Sequence, residues 1–174
     1  MEVNMANIEE KVENLLKGPI EALGYNLYDV QYVKEGQNYF LRVFIEKPNG
    51  SIDLNDCEKV NDGINDILDT ADYIKEQYFL EVSSTGLEKI LRKDEHLKQN
   101  IGKEIQINLF KPIEFEINIK EKKKKAQKTR ELLGKLNSFN EDNIELKLEN
   151  GEIINVERKN ISQIKTVFDW NSLN

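Results

Sequence analysis

The sequence predicts an α+β protein in two parts, an N-terminal α-β-β-α-β domain followed by a small C-terminal β-barrel. Three observations lead there. In two stretches of the first half, apolar residues recur at threes and fours, the signature of amphipathic helices. After residue 100 the pattern changes to short alternating runs separated by turn residues. Charge also divides: residues 1–92 carry 9 Lys/Arg against 18 Asp/Glu, and residues 93–174 carry 16 against 14. The 174 residues suit one ordinary domain or two small ones. The predicted organisation is a domain over 1–92, a linker over 93–100, a barrel over 101–170 and a tail over 171–174.

The first helix is marked by Ile8, Val12, Leu15, Leu16, Ile20 and Leu23 on one face. Gly18-Pro19 predicts a kink or fresh start within it, and Gly24 a stop. YNLYDVQYV (25–33) and YFLRVFIE (39–46) read as strands joined by a short turn at Gly36. Both faces of the second strand are partly apolar, Tyr39/Leu41/Val43/Ile45 against Phe40/Arg42/Phe44, which predicts an inner strand covered by helices. Asp53 is placed to cap the second helix, whose face is Leu54, Cys57, Val60, Ile64, Ile67 and Leu68. YFLEV (78–82) supplies the third strand. The second half offers runs at 104–110, 114–119, 130–139, 143–149, 152–157 and 161–168. Lys111-Pro112, Asn140–Asn143 and Asn150-Gly151 separate them, as in a small barrel of the SH3 or Sm type.

Several functions are excluded or disfavoured. No apolar stretch approaches the roughly 20 residues that cross a bilayer, and the acidic amphipathic start lacks the features of a secretion signal. A single cysteine, Cys57, excludes an internal disulfide; amid Asp53, Asp56 and Glu58 it reads as a packing residue, since a reactive thiol needs a basic neighbourhood. These readings predict a cytoplasmic protein. The peptide EVSSTGLEKIL (81–91) gathers Ser83, Ser84, Thr85 and Gly86, yet Val82 stands where the nucleophile-elbow motif needs glycine. The sole histidine, His96, reads as an exposed and inert side chain in a charged segment. Neither phosphate-binding glycine motif is present, and the Asp residues of the second helix read as a solvated face. The expectation is therefore a non-enzyme with no cofactor and no metal.

Two features stay open. Ser83–Gly86 can leave backbone N–H groups pointing outward as an anion nest, or can cap the turn into the next segment. Lys122–Lys125 sit in a stretch (120–130) that holds seven Lys/Arg and one acid, Glu121. That run either lies along RNA phosphates or is a hairpin tip kept soluble by charge. No aromatic residue lies within 120–130, so base stacking by this loop is not indicated.

In order and spacing, GYNLYDVQYVKEG (24–36), IEKPNGSIDLNDCEKV (45–60), EVSSTGLEKIL (81–91), IGKEIQINL (101–109) and the 151–165 region resemble the bacterial ribosome maturation factor RimP family. The resemblance implies an Sm-like C-terminal barrel and a non-catalytic role in assembling the small (30S) ribosomal subunit. Implied partners are the free small subunit, the ribosomal protein that later lines its decoding centre, and 16S rRNA, with no membrane and with the protein a monomer. Ser83, Ser84, Thr85, Gly86, Leu87, Glu88 and Lys89 become candidate partner- or rRNA-binding residues, joined by Lys122, Lys123, Lys124 and Lys125. The family's peptide looks like E-V-S-S-P-G-L-D-R-P-L. Here Thr85 and Ile90 replace its prolines, Glu88 its aspartate and Lys89 its arginine, which removes planar bidentate recognition at that position. The 111–130 stretch is longer than the family's usual hairpin, so no family role is transferred to it. The alternative is an Sm-like RNA-binding module acting on other RNAs.

Overall fold

The structure is a computed structural model and describes residues 5–119 and 123–168, with side chains described outside 115–127. The chain divides into two compact units, Met1–Gly86 and Leu87–Asn174.

In the first unit the elements run α1 (Met5–Ala22), β1 (Asn26–Glu35), β2 (Asn38–Glu46), α2 (Leu54–Ala71) and β3 (Tyr78–Ser84). The three strands form a sheet of order β1-β2-β3, with β1 antiparallel and β3 parallel to the central β2. Helix α1 continues through Pro19 instead of restarting there. Pro19 lies in the last turn, so its missing N–H interrupts one backbone bond near an end that frays anyway. Gly24, at φ +97°, then closes the helix, with Tyr25 N–H donating to Ile20 C=O at 3.2 Å. Asp53 caps α2 as expected, in a reciprocal box with Asp56: Asp56 N–H donates to Asp53 Oδ1 at 2.8 Å and Asp53 N–H to Asp56 Oδ2 at 2.9 Å.

Val12, Leu16 and Ile20 of α1 and Val60, Ile64 and Leu68 of α2 share one core with Val30, Tyr32, Leu41, Val43 and Ile45. Both helices therefore pack on one face of the sheet. Phe40, Arg42 and Phe44 point to the opposite face and lie outside that core, so among the described residues of the first unit the expected helix cover is present on one face of β2 only. Leu54 is also outside the core, at 87% exposure.

The second unit contains α3 (Asp94–Gln99), β4 (Glu104–Ile119), β5 (Lys123–Phe139), β6 (Asn143–Lys147), β7 (Ile153–Glu157), a 3-10 turn (Arg158–Asn160) and β8 (Ile161–Thr166). The 104–110 and 114–119 runs belong to one long strand, not two; Lys111-Pro112 lies in a bulge within it. The described pairings give an open antiparallel sheet of order β7-β6-β5-β4-β8 rather than a closed barrel. The outer edge of β8 is already occupied: Leu91 N–H donates to Ile164 C=O at 2.8 Å and Thr166 N–H to Lys89 C=O at 2.9 Å. Stretch 93–100 carries α3, whose Leu97 joins Leu91, Ile105, Ile107, Leu132, Leu136, Ile144, Leu146, Val156 and Ile164 in the second core.

Candidate partner-binding surfaces

The predicted peptide falls on both units. In the first, Ser83 pairs with Phe44 and Ser84 with Ile45 at the end of the parallel β2–β3 ladder. Ser83 is half-buried and Ser84 exposed. Thr85 Oγ1 lies 3.5 Å from Gly86 C=O, and Gly86 has φ +80°, a left-handed conformation that costs glycine nothing. No helix starts here; the next begins at Asp94. The serines are thus strand residues, not the cap of a helix, and no helix N-terminus adds its dipole to them.

In the second unit Leu87 is 63% exposed. Glu88 is ion-paired to Lys165 at 3.1 Å. Lys89 N–H donates to Thr166 Oγ1 at 2.9 Å, and Ile90 forms an antiparallel bridge with Lys165. The backbone of residues 89–91 is therefore fixed along β8, whatever side chain stands at 89.

His96 is buried, not exposed as its charged surroundings predict. Its Nδ1 accepts Arg92 N–H at 3.0 Å and Lys93 N–H at 3.2 Å, while its C=O accepts Asn100 Nδ2 at 2.7 Å. These bonds engage its Nδ1 and its backbone C=O in shaping the start of α3. Cys57 is half-buried, and its thiol is pushed up by burial and then by Asp56 and Asp53. That is the opposite of activation. Among the described residues no cluster of His, Cys, Asp or Glu is arranged to hold a metal ion.

The helix-free face of the first sheet was not legible as a surface. Phe79 is 56% exposed and packs on Phe40 with ring centroids 5.6 Å apart. The Arg42 guanidinium lies 5.0 Å from the Phe40 centroid and bridges Glu35 at 2.8 Å and Glu81 at 2.9 Å. Hydrogen bonding to Arg42 holds the Glu35 carboxyl below its usual range, and the two carboxylates raise Arg42. Alternation in YFLRVFIE was the available signal, but it could not say which face the helices take.

Of the lysine run, Lys122 lies outside the described residues. Lys123, Lys124 and Lys125 have described backbone only, paired in β5 with Ile119, Asn118 and Ile117. At the base of this long hairpin, Phe110, Lys111 and Ile113 face Asn155, Lys159 and Asn160 across an open groove of about 600 Å³. In the sequence Lys111-Pro112 has the signature of a turn between strands, so the groove is not legible there.

Residues 15–88 match the RimP N-terminal domain. The chain carries the N-terminal domain of the RimP family. The matched segment runs from within α1 to just past Gly86, so it spans β1–β3, α2 and the candidate residues Ser83–Glu88. Lys89 and the lysine run lie beyond it. RimP proteins are ribosome maturation factors, a family of non-catalytic assembly factors. No described helix is long and apolar enough to cross a membrane.

Proposed function

We propose that this protein assists maturation of the small ribosomal subunit without catalysis, by binding a ribosomal protein, rRNA or both in an assembly intermediate. The RimP N-terminal domain over residues 15–88 carries this reading. Charge supports the division of labour. The first unit has 7 Lys/Arg against 17 Asp/Glu, which suits a basic ribosomal protein, such as the one that later lines the decoding centre, and disfavours RNA. Charge complementarity of this kind mainly speeds encounter and sets orientation. The second unit has 18 Lys/Arg against 15 Asp/Glu and is assigned to 16S rRNA as an Sm-like module.

Ser83–Lys89 serve as the partner-contacting peptide in this reading, with Ser84 and Leu87 the accessible side chains. The mechanism is selective binding. A factor that holds an immature conformation more tightly than the mature one shifts the population along the assembly path and leaves when its preferred state disappears. The protein acts in the cytoplasm as a monomer. Co-sedimentation in a salt series tests this: binding to free small subunits and weaker binding to whole ribosomes is the expected result. Equal binding to both, or to neither, overturns it.

A further inference from the structure

The groove in the second unit is built by a specific backbone irregularity. In the β4–β5 ladder Asn108 stands opposite Glu131, yet Ile113 stands opposite Thr129. Residues 109–112 are thus looped out against Arg130 alone. Leu109 turns into the core and pairs with Ile161 of β8, which leaves Phe110 turned outward at 64% exposure. Bulges of this kind re-aim a side chain at the cost of ladder bonds. Here part of that cost is offset by Asn160, whose Oδ1 accepts Lys111 N–H and whose Nδ2 donates to Lys111 C=O, each at 3.0 Å. Pro112 has no N–H to return to the ladder.

The result is an exposed aromatic ring between two lysines. Lys111 lies on the ring's own strand, and Lys159 lies across the groove, partly screened by Glu157 at 3.7 Å. Asn155 adds an exposed amide. A protein helix would need a broad exposed apolar stripe, and this groove offers one exposed ring, the half-buried Ile113 and Val156, which is buried in the core. A single-stranded nucleic acid needs what is present: a π-face for a base and cations for its flanking phosphates. RNA in duplex form presents no unstacked base to such a ring. The same hairpin leads on to the backbone of Lys123–Lys125 through a continuous ladder, four to six pairs beyond Ile113 and roughly 13–20 Å at ~3.3 Å per residue.

We propose that this groove binds a short single-stranded RNA segment, with one base stacked on Phe110 and its flanking phosphates on Lys111 and Lys159. The choice of RNA over other polyanions rests on the ribosome-maturation reading; the choice of single strand rests on the groove.

The test is fluorescence anisotropy of the full chain with a labelled ten-nucleotide single-stranded oligoribonucleotide, in a salt series. Phe110→Ala should weaken binding on the order of tenfold, the scale of a lost base–aromatic stack, with the salt slope unchanged. Phe110→Tyr should restore it, and Phe79→Ala on the first unit should have no effect. Lys111→Gln and Lys159→Gln should each weaken binding and flatten the salt slope. Binding by Phe110→Ala equal to wild type, or no preference for single strand over duplex, overturns the proposal. So does loss of subunit co-sedimentation by Phe110→Ala with oligonucleotide binding intact, which would give the groove to a protein segment. Wild-type protein that binds the oligonucleotide through Phe110 but ignores small subunits would instead overturn the ribosome-maturation reading and leave the groove standing.

Discussion

Asn160 and Lys111, 49 positions apart, are joined by two hydrogen bonds of 3.0 Å, in which one side-chain amide copies the pairing of a missing strand residue. The pair closes the β4 bulge at the point where the ladder is interrupted. Removing the amide should free the Lys111 backbone without touching either core. Asn160→Ala is expected to bring exchange of the Lys111 amide hydrogen to loop-like rates and to cost about 1 kcal/mol of stability. Asn160→Asp keeps the acceptor and loses the donor, so Lys111 N–H should stay protected. Equal protection in all three proteins, measured by NMR hydrogen exchange, would show that the bulge holds its shape without Asn160.

A second prediction concerns acid. Asp56 Oδ1 accepts the Tyr25 hydroxyl at 2.5 Å, and Oδ2 accepts Lys47 Nζ at 2.7 Å. Lys47, then Tyr25, hold the Asp56 carboxyl far below the usual carboxylate range; in return Asp56 pushes the Tyr25 hydroxyl up to about 12 and Lys47 upward. A folded-state value below the unfolded one, ~3.9, means that this stability is fully present above about pH 5. It is lost as pH falls through the unfolded value toward the folded one. Asp56→Asn should therefore be less stable at pH 7 and lose less on acidification. Thermal melts of both proteins between pH 7 and pH 2 check this; parallel curves would count against it.

Residue by residue, the sequence was most readable where one local rule decides. Asp53 announces its helix because an N-cap needs only itself and the N–H three residues on. Leu54 misled because spacing in threes hides phase. At ~100° per residue it lies roughly 80° from the centre of the Val60/Ile64/Leu68 stripe, and the structure leaves it in solvent. Phe40, Arg42 and Phe44 could not be resolved locally, since whether α1 and α2 share a face is set by how the chain crosses over, not by β2. His96 looked exposed because its neighbours are charged; two backbone N–H groups from Arg92 and Lys93 are invisible in a sequence. Phe110 was hidden for a related reason: a bulge and a strand break have the same Lys-Pro signature until β5 is seen to pair on both sides.

Two glycines should respond oppositely to alanine. In β5, a Cβ on Gly134 would stand 2.6 Å from the Lys147 carbonyl oxygen and 2.9 Å from Leu146 Cγ. The nearer of these is backbone in the paired β6, so it yields only by bending the ladder. Gly134→Ala should cost about 1–3 kcal/mol. In α2, a Cβ on Gly63 would approach Leu23 Cδ1 at 2.8 Å, the far end of a side chain that can rotate. There the helix gains up to ~1 kcal/mol from losing a glycine, so Gly63→Ala should be neutral or mildly stabilising. Urea titrations followed by amide cross-peaks of each unit would separate the effects. A Gly134→Ala protein no less stable than Gly63→Ala would overturn this expectation.

The last prediction sets two leucines of the first unit against each other. Leu16 is fully buried on α1, whereas Leu54 is 87% exposed at the start of α2. Leu16→Ala removes three carbons from a close-packed site and leaves a cavity that its neighbours cannot fully close. The expected cost is about 2–5 kcal/mol. Leu54→Ala removes surface already in water and should stay within about 0.5 kcal/mol. Because α1 and α2 each have 18 residues and α3 only 6, the far-UV helical signal reports chiefly on the first unit. A denaturant titration at that wavelength therefore reads the unit of interest even if the two unfold separately. A large loss for Leu54→Ala would mean that its helix face is covered by something that the first unit does not itself provide.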